Sequence, residues 1–482
     1  MKTVETLVMG TKPANGTTMG QPFPSGMGGS HSFRIPAMVT LSDGTLVAAA
    51  DARWNTDYDG GGLDTAVACS SDNGVTWHYT FANYLGDHGN VYTGKATCFI
   101  DPALAVTADD TVYMLCDLYP GGVALNGEKE TWPVAKVGFN AEGKLLLTKD
   151  GYDNEAAVYD HYLDGETIRD NAGNKVEGYT VDPFFNLYRD GRLVSNLFFS
   201  NSPYAVVRTG YLYLTKSTDK GATWSAPMLL NVKTDRELVC LAGPAGGMVT
   251  GDGTIVFPVY SFGTTAEEHT GLLFSADHGA TWHRSVSLDQ MRGSEAAVIE
   301  LPGGKLRVFF RNHESQLYYA DYDRQSDRWA PCVATGVPVN SCCQLSALEY
   351  SKMARGKRVI LISCPAGPGA VGCADSSGAR RCAGRIFAGL LEADGTMTWQ
   401  PGAVAVTATP ESAISGDDYT PEHGFFAYSS MAELKNGGGV ALLYEDSQHG
   451  WGAGEGFGFT ITFTVYSEKQ LERAFGLTFE HP

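Results

Sequence analysis

Three stretches of the chain share one pattern: Ser70-Ser71-Asp72-Asn73-Gly74-Val75-Thr76-Trp77, Ser217-Thr218-Asp219-Lys220-Gly221-Ala222-Thr223-Trp224 and Ser275-Ala276-Asp277-His278-Gly279-Ala280-Thr281-Trp282. Each reads Ser-x-Asp-x-Gly-x-Thr-Trp, and five fixed positions recurring three times in so short a window exclude coincidence. The residue types are those of a hairpin turn. Ser and Asp side chains bond nearby backbone, Gly supplies a positive φ, and Thr and Trp restart a strand. A strand-like run precedes each copy: Thr65–Cys69, Tyr211–Thr215 and Gly271–Phe274. Three copies of one staple indicate repeated architecture rather than three metal or catalytic sites.

Working outward, weaker relatives stand at Ser326-Asp327-Arg328-Trp329 and Asp394-Gly395-Thr396-Met397-Thr398-Trp399. The tryptophans at 224, 282, 329 and 399 are 47 to 70 residues apart, which suits one four-stranded propeller blade each. The longer gap from Trp77 to Trp224 holds an extra, unmarked blade plus an insertion. The expected fold is therefore all-β, a six-bladed β-propeller with a small inserted β excursion. Residues 1-30 form an N-terminal segment, 31-482 the propeller, and about 122-205 the insertion. Helix is scarce, and Ser467–Phe475 is the best candidate.

Composition agrees. Of 482 residues, 58 are Gly, 23 Tyr, 22 Phe and 8 Trp, as expected of many short strands joined by tight turns. Hydrophobic residues make up 43%, which excludes a disordered acidic chain. Against 54 Asp and Glu stand 35 Lys and Arg, a net charge of −19. That balance argues against a nucleic-acid partner. No apolar stretch approaches a membrane span. The start lacks the apolar core of a signal peptide, so the chain stays inside the cell or its export signal has been removed. Ten cysteines show no zinc-type spacing. Buried thiols are expected, with disulfides an option only for an exported protein.

One motif is a decoy. Gly367-Pro368-Gly369-Ala370-Val371-Gly372 matches a dinucleotide fingerprint, but turn-type residues follow where a helix should open. More informative are arginines in apolar, strand-like settings, since an unpaired buried guanidinium is costly. Arg34 lies in Ser32-Phe33-Arg34-Ile35-Pro36-Ala37-Met38-Val39, and Arg311 closes Leu306-Arg307-Val308-Phe309-Phe310-Arg311. Taken alone, each reads more readily as a member of a structural ion pair.

Together with the three hairpin repeats, these residues resemble the bacterial-type exo-α-sialidases (neuraminidases). Phe33-Arg34-Ile35-Pro36 stands as the family's Arg-Ile-Pro motif and the repeats as its Asp-boxes. The likeness runs from about residue 31 to 466 and includes Phe99-Ile100-Asp101-Pro102, the Glu295 to Arg311 unit and Phe426-Ala427-Tyr428-Ser429-Ser430. It implies an arginine triad that clamps a substrate carboxylate, for which planar guanidinium forks suit better than lysine. Arg34 and Arg311 are its first two members. Arg381 is the third, with Arg380 and Arg385 as alternatives, and Ala383 stands where the family has Asn.

By the same resemblance, Tyr428 is the nucleophile and Glu295 the base that takes its proton. A carboxylate nucleophile would meet the like charge on the reacting carbon, and the arginines nearby are expected to lower the pKa of Tyr428. Asp59 is the general acid/base, Asp57 the alternative, and Arg53 a further substrate-binding residue. The implied activity is release of terminal sialic acid from sialylated glycoconjugates with retention, by a monomer, needing no metal or organic cofactor. Alternatives are transfer of the sialosyl group to another sugar or to its own hydroxyl, giving an anhydro product; Trp451 or Tyr204 could supply the water-excluding wall this needs. Two others are a non-catalytic binding propeller and a propeller glycosidase acting on neutral sugars through carboxylates.

Overall fold

The computed structural model describes residues 12–54, 59–85, 96–125, 132–151, 157–263, 267–314, 316–339, 343–366, 381–408, 424–435, 438–447 and 459–481. The chain is mostly β, divided among several small sheets. The first meander runs Ser32–Thr40, Leu46–Arg53, Leu63–Ser70, Thr76–Asn83, and Lys12–Met19 adds to its outer edge. The second runs Cys98–Val106, Val112–Tyr119, Tyr211–Ser217, Met228–Leu230. A parallel pairing of Leu63 with Cys98 joins the two. Similar meanders follow at Val239–Arg284, Ala296–Trp329 and Ser346–Ala405, and the last sheet is Ser429–Glu433, Val440–Ser447, Phe459–Tyr466.

The repeats are the turns between third and fourth strands. In the first, Ser70 Oγ donates to Asp72 Oδ1 at 2.8 Å, while Gly74 N donates to Ser70 Oγ at 2.9 Å and Thr76 N to Asp72 Oδ1 at 2.8 Å. The copies at Asp219 and Asp277 repeat all three bonds at 2.8–2.9 Å. Gly74, Gly221 and Gly279 have φ of 86°, 87° and 80°. They also lie against the preceding sheet: a Cβ on Gly221 would come within 2.9 Å of Cys69 Sγ, and one on Gly279 within 2.6 Å of Tyr113. On Gly74 it would meet Phe463 of the last sheet at 2.2 Å. The glycines are required by contact as well as by backbone conformation.

That last contact closes the ring. Trp77 packs edge-on against Phe463 with centroids 5.2 Å apart, and Gln21 hydrogen-bonds both the N–H and the carbonyl of Phe463. The core between first and last sheets, with Phe33, Trp77 and Phe81 facing Ala441, Leu443 and Ile461, is buried throughout.

The expectation about the gap from Trp77 to Trp224 needs correcting. Val112–Tyr119 pairs directly with Tyr211–Ser217, so both belong to one sheet, the one Trp224 marks. Between them the described residues form two small sheets, Leu146–Lys149/His161–Asp164/Thr167–Asp170/Tyr204–Val206 and Tyr179–Val181/Asn186–Arg189/Arg192–Asn196, and no further meander. The sheet without a repeat is the last one. It was invisible to tryptophan spacing because nothing marks it.

The helix spans Glu468–Phe475. Gln470 Oε1 accepts the N–H of Ser467 at 2.9 Å, Gly476 ends the helix at φ 65°, and Leu471 and Phe475 are buried. No helix of the described residues is long and apolar enough to cross a membrane. The decoy glycines 367–372 lie outside the described residues.

Candidate active site

The first strands of neighbouring meanders pack side by side, and their N-terminal ends gather the polar side chains of the site. Arg34 sits near the start of Ser32–Thr40, Asp101 in Cys98–Val106, Glu295 just before Ala296–Glu300 and Tyr428 just before Ser429–Glu433.

At Arg34 the pairing register slips between Arg34 and Ala37, and Ile35 takes φ 56°. A β-branched residue avoids that conformation, so something must hold it. Glu445 does so by accepting the Ile35 N–H at 2.9 Å. The same carboxylate takes Arg34 Nε at 3.0 Å and Nη2 at 3.2 Å, and Glu445 is fully buried. The bulge thus re-aims Arg34, and one buried carboxylate fixes both backbone and guanidinium. Burial works against the charge on Arg34, but Glu445 and Asp59 outweigh it and raise its pKa.

The device recurs. Register slips again between Ile100 and Ala103, Asp101 has φ 63°, and Asp51 Oδ1 accepts the Asp101 N–H at 3.1 Å. Asp117 does the same for Ala242 at 2.9 Å. Each carboxylate comes from the second strand of one sheet and holds the first strand of the next. Burial, with the neighbouring carboxylates, pushes Asp101 well above the usual range.

Glu295 and Arg311 face each other across a strand pair, Arg311 N donating to Glu295 O at 2.7 Å. Tyr428 Oη donates to Glu295 Oε1 at 2.5 Å. Arg311 Nη1 donates to Glu295 Oε2 at 2.7 Å and to Tyr428 Oη at 3.1 Å, closing a triangle. The guanidinium carbons of Arg34 and Arg381 lie 5.6 and 5.3 Å from the centroid of the Tyr428 ring. Contrary to expectation, the pKa of Tyr428 is raised well above 10. Burial dominates and Glu295 adds to it, while Arg311 and Arg381 act in the opposite direction without overcoming them. The phenol is neutral and needs a base to react.

Arg381 reaches the ring because Phe426 N donates to Arg381 O at 2.8 Å, tying the two segments together. Arg385, the described alternative, instead donates to the carbonyls of Gly384 and Thr407, both at 2.8 Å. Arg380 is outside the described residues. Ala383 has φ 55°, a conformation Asn tolerates better than Ala, which is a local reason for Asn at that position.

Asp59 Oδ1 accepts from Arg34 Nη1 at 3.0 Å and Arg53 Nη1 at 2.8 Å. Arg53 is itself held by Asp51 at 2.7 Å, both side chains fully buried. Burial would raise the pKa of Asp59, but Arg53 and Arg34 lower it to about 2. Asp57 and Trp451 lie outside the described residues. Tyr204 is buried among the small inserted sheets, edge-on to His161 and Tyr179.

Sequence reasoning missed Glu445 and Asp117, whereas Asp51, read beside Arg53 as part of a pair, is found bonded to it. The signal for Glu445 was faint: it closes the apolar run Val440-Ala441-Leu442-Leu443-Tyr444, as Arg311 closes its own run, but Asp446, Ser447 and Gln448 follow it. Among the described residues, no three His, Cys, Asp or Glu side chains are grouped to hold a metal ion.

A family model for the BNR repeat-like domain matches residues 185–437, more than half of the chain. The chain belongs to the sialidase family of BNR-repeat proteins. It is 27% identical over 470 residues to an anhydrosialidase of Macrobdella decora, covering 86% of this chain and 58% of that protein. To sialidase B of Streptococcus pneumoniae it is 26% identical over 472 residues, covering 86% of this chain and 61% of that one. The chain thus spans about three fifths of the length of these curated relatives. Among solved structures, the intramolecular trans-sialidase of Ruminococcus gnavus, in complex with oseltamivir carboxylate, shares the fold: TM-score 0.76, 24% identity, 94% of this chain and 98% of that chain. Within this sialidase-family chain, the charged ends of the inner strands are the candidate active site.

Proposed function

We propose that the chain cleaves terminal α-sialosides with retention of configuration, through a covalent tyrosyl intermediate, on a six-bladed propeller. The propeller occupies 31-482, with the insertion carried on its second blade. The triangle of Tyr428, Glu295 and Arg311 carries this reading, because it supplies a neutral nucleophile already hydrogen-bonded to a base.

Arg34, Arg311 and Arg381 clamp the substrate carboxylate. Tyr428 Oη attacks the anomeric carbon as its proton passes to Glu295, and Asp59 protonates the leaving oxygen as the glycosidic bond breaks. Asp59 then takes a proton from the acceptor hydroxyl, which attacks the same carbon. The Tyr428–carbon bond breaks, and Glu295 returns the proton to the phenolate. Arg53 holds Asp59. The acceptor decides the product: water gives free sialic acid, and the sugar's own hydroxyl gives an anhydro sugar.

Hydrolysis is the primary reading. The intramolecular route is favoured by one observation, that an anhydrosialidase and an intramolecular trans-sialidase stand among the most similar proteins. Incubating the protein with an α-sialoside and identifying the first product by NMR separates them. Free α-sialic acid supports hydrolysis, an anhydro sugar the intramolecular route, and no turnover overturns both.

A further inference from the structure

Under the function proposed above, one carboxylate and one arginine are each asked to do two things. Asp59 must carry a proton to the leaving group, yet it is held ionised between two cations. Arg34 must receive the substrate carboxylate, yet its Nη1 already donates to Asp59 at 3.0 Å.

The two partners differ in freedom. Arg34 is 3% exposed and anchored through Nε and Nη2 by Glu445, whereas the side chain of Asp59 is 38% exposed. Asp59 is therefore the group that yields. It does not leave the site, because Arg53 holds the same oxygen at 2.8 Å and Arg53 is fixed by buried Asp51. Trp54 Nε1, bonded to Asp64 Oδ2 at 2.9 Å, ties together the two ends of the segment that bears Asp59.

We propose that Asp59 and an incoming substrate carboxylate compete for Arg34, so that binding the anion releases Asp59 from one of its two arginines and loads it with the proton it later donates. The proton comes from solvent, and no other bond changes. Arg34 is then a sensor of the substrate's charge as well as its clamp, and Arg53 is the positioning residue that keeps the released acid at hand.

The charged and titratable groups around Asp59 favour this direction. Arg34 faces it from the first strand, Arg53 and Asp51 from the second, Arg381 from the segment before Gly384–Leu391, and Asp101, Cys98 and Tyr119 from the second sheet. A bound carboxylate adds a negative charge beside Asp51 and Asp101 and occupies part of what neutralised Asp59. Both effects raise the proton affinity of Asp59.

The experiment is calorimetric titration of the protein with a 2,3-unsaturated analogue of sialic acid, which has a carboxylate and no leaving group. Buffers of different ionisation enthalpy report the protons taken up. The native protein is expected to take up a proton on binding in a window that opens above the free-state pKa of Asp59, about 2, with affinity falling by up to about tenfold per pH unit as pH rises within it. Asp59→Asn should take up almost none, show that much flatter a pH dependence, and bind the analogue more tightly at neutral pH. Equal uptake by native protein and Asp59→Asn would assign the proton elsewhere and overturn the proposal. Binding to the native protein with no uptake would overturn it whatever the variant does. Failure of the native protein to bind the analogue at all would refute the site reading on which the coupling rests, and the coupling with it.

Discussion

At their N-terminal ends the inner strands carry Arg34, Asp101, Glu295 and Tyr428. A few residues further on, the same strands and their neighbours present Met38, Leu104, Gly246, Ile299, Ser346 and Met431 around a cavity of about 640 Å³. Carboxylates stand at both ends, but they serve different groups. At the cavity end Glu300 accepts the Gly251 N–H at 2.7 Å and Glu433 the Ser351 N–H at 2.8 Å, each fastening one sheet to its neighbour. At the charged end Glu445 and Asp51 also hold backbone of the adjacent sheet, and in addition each holds a buried arginine. The comparison teaches that the sheet-to-sheet fastening is general, and that the site is the end where two of the fasteners, Glu445 and Asp51, also carry a guanidinium.

The largest expected effect tests the charged end directly. Tyr428→Phe removes the nucleophile and keeps the ring beneath Arg34 and Arg381, so kcat should fall by about 10³-fold or more while the analogue still binds. Steady-state rates on an α-sialoside with calorimetric binding would show it. Near-native turnover would remove Tyr428 from the mechanism. Next comes Glu445→Gln, which leaves Arg34 without its buried counter-charge and weakens the Ile35 bulge. The expectation is a loss of about 3 kcal/mol in stability on denaturant unfolding together with a raised KM. Smallest is Glu433→Gln at the cavity end, where a neutral side chain can still accept the Ser351 N–H. Stability should fall by about 1 kcal/mol or less, with kcat/KM unchanged. If Glu433→Gln damaged turnover as much as Glu445→Gln, the two ends would not differ as described.

What could be read in advance divides along the same line. The hairpin repeats were legible because five residue types act within one turn, and the structure repeats their hydrogen bonds in all three copies. Arg34 and Arg311 were visible as charges in apolar strands, and Glu295 and Tyr428 through the resemblance; the fold brings all four around one ring. Glu445 was not identified, since it meets Arg34 only across 411 residues and carries no local signature beyond its apolar run. The last sheet escaped for a similar reason: with no tryptophan turn of its own, it is defined by what it packs on. The direction of the Tyr428 shift could not be read either. It depends on how burial and Glu295 balance two arginines, and burial is a property of the assembled fold.

Phe463 gives the ring a folding order. The segment it meets at Gln21 is 442 positions away in the chain, so the contact cannot form until nearly every strand has been synthesised. Until then Trp77 lacks the ring it packs against, along with the cover of Ala441, Leu443 and Ile461. Bringing ends together costs entropy only logarithmically in length, but the search is slow because contacts so distant in sequence reward nothing until made. The first sheet must therefore wait for the last. Glycine at position 74 lets that late arrival dock against the turn without having to displace a side chain.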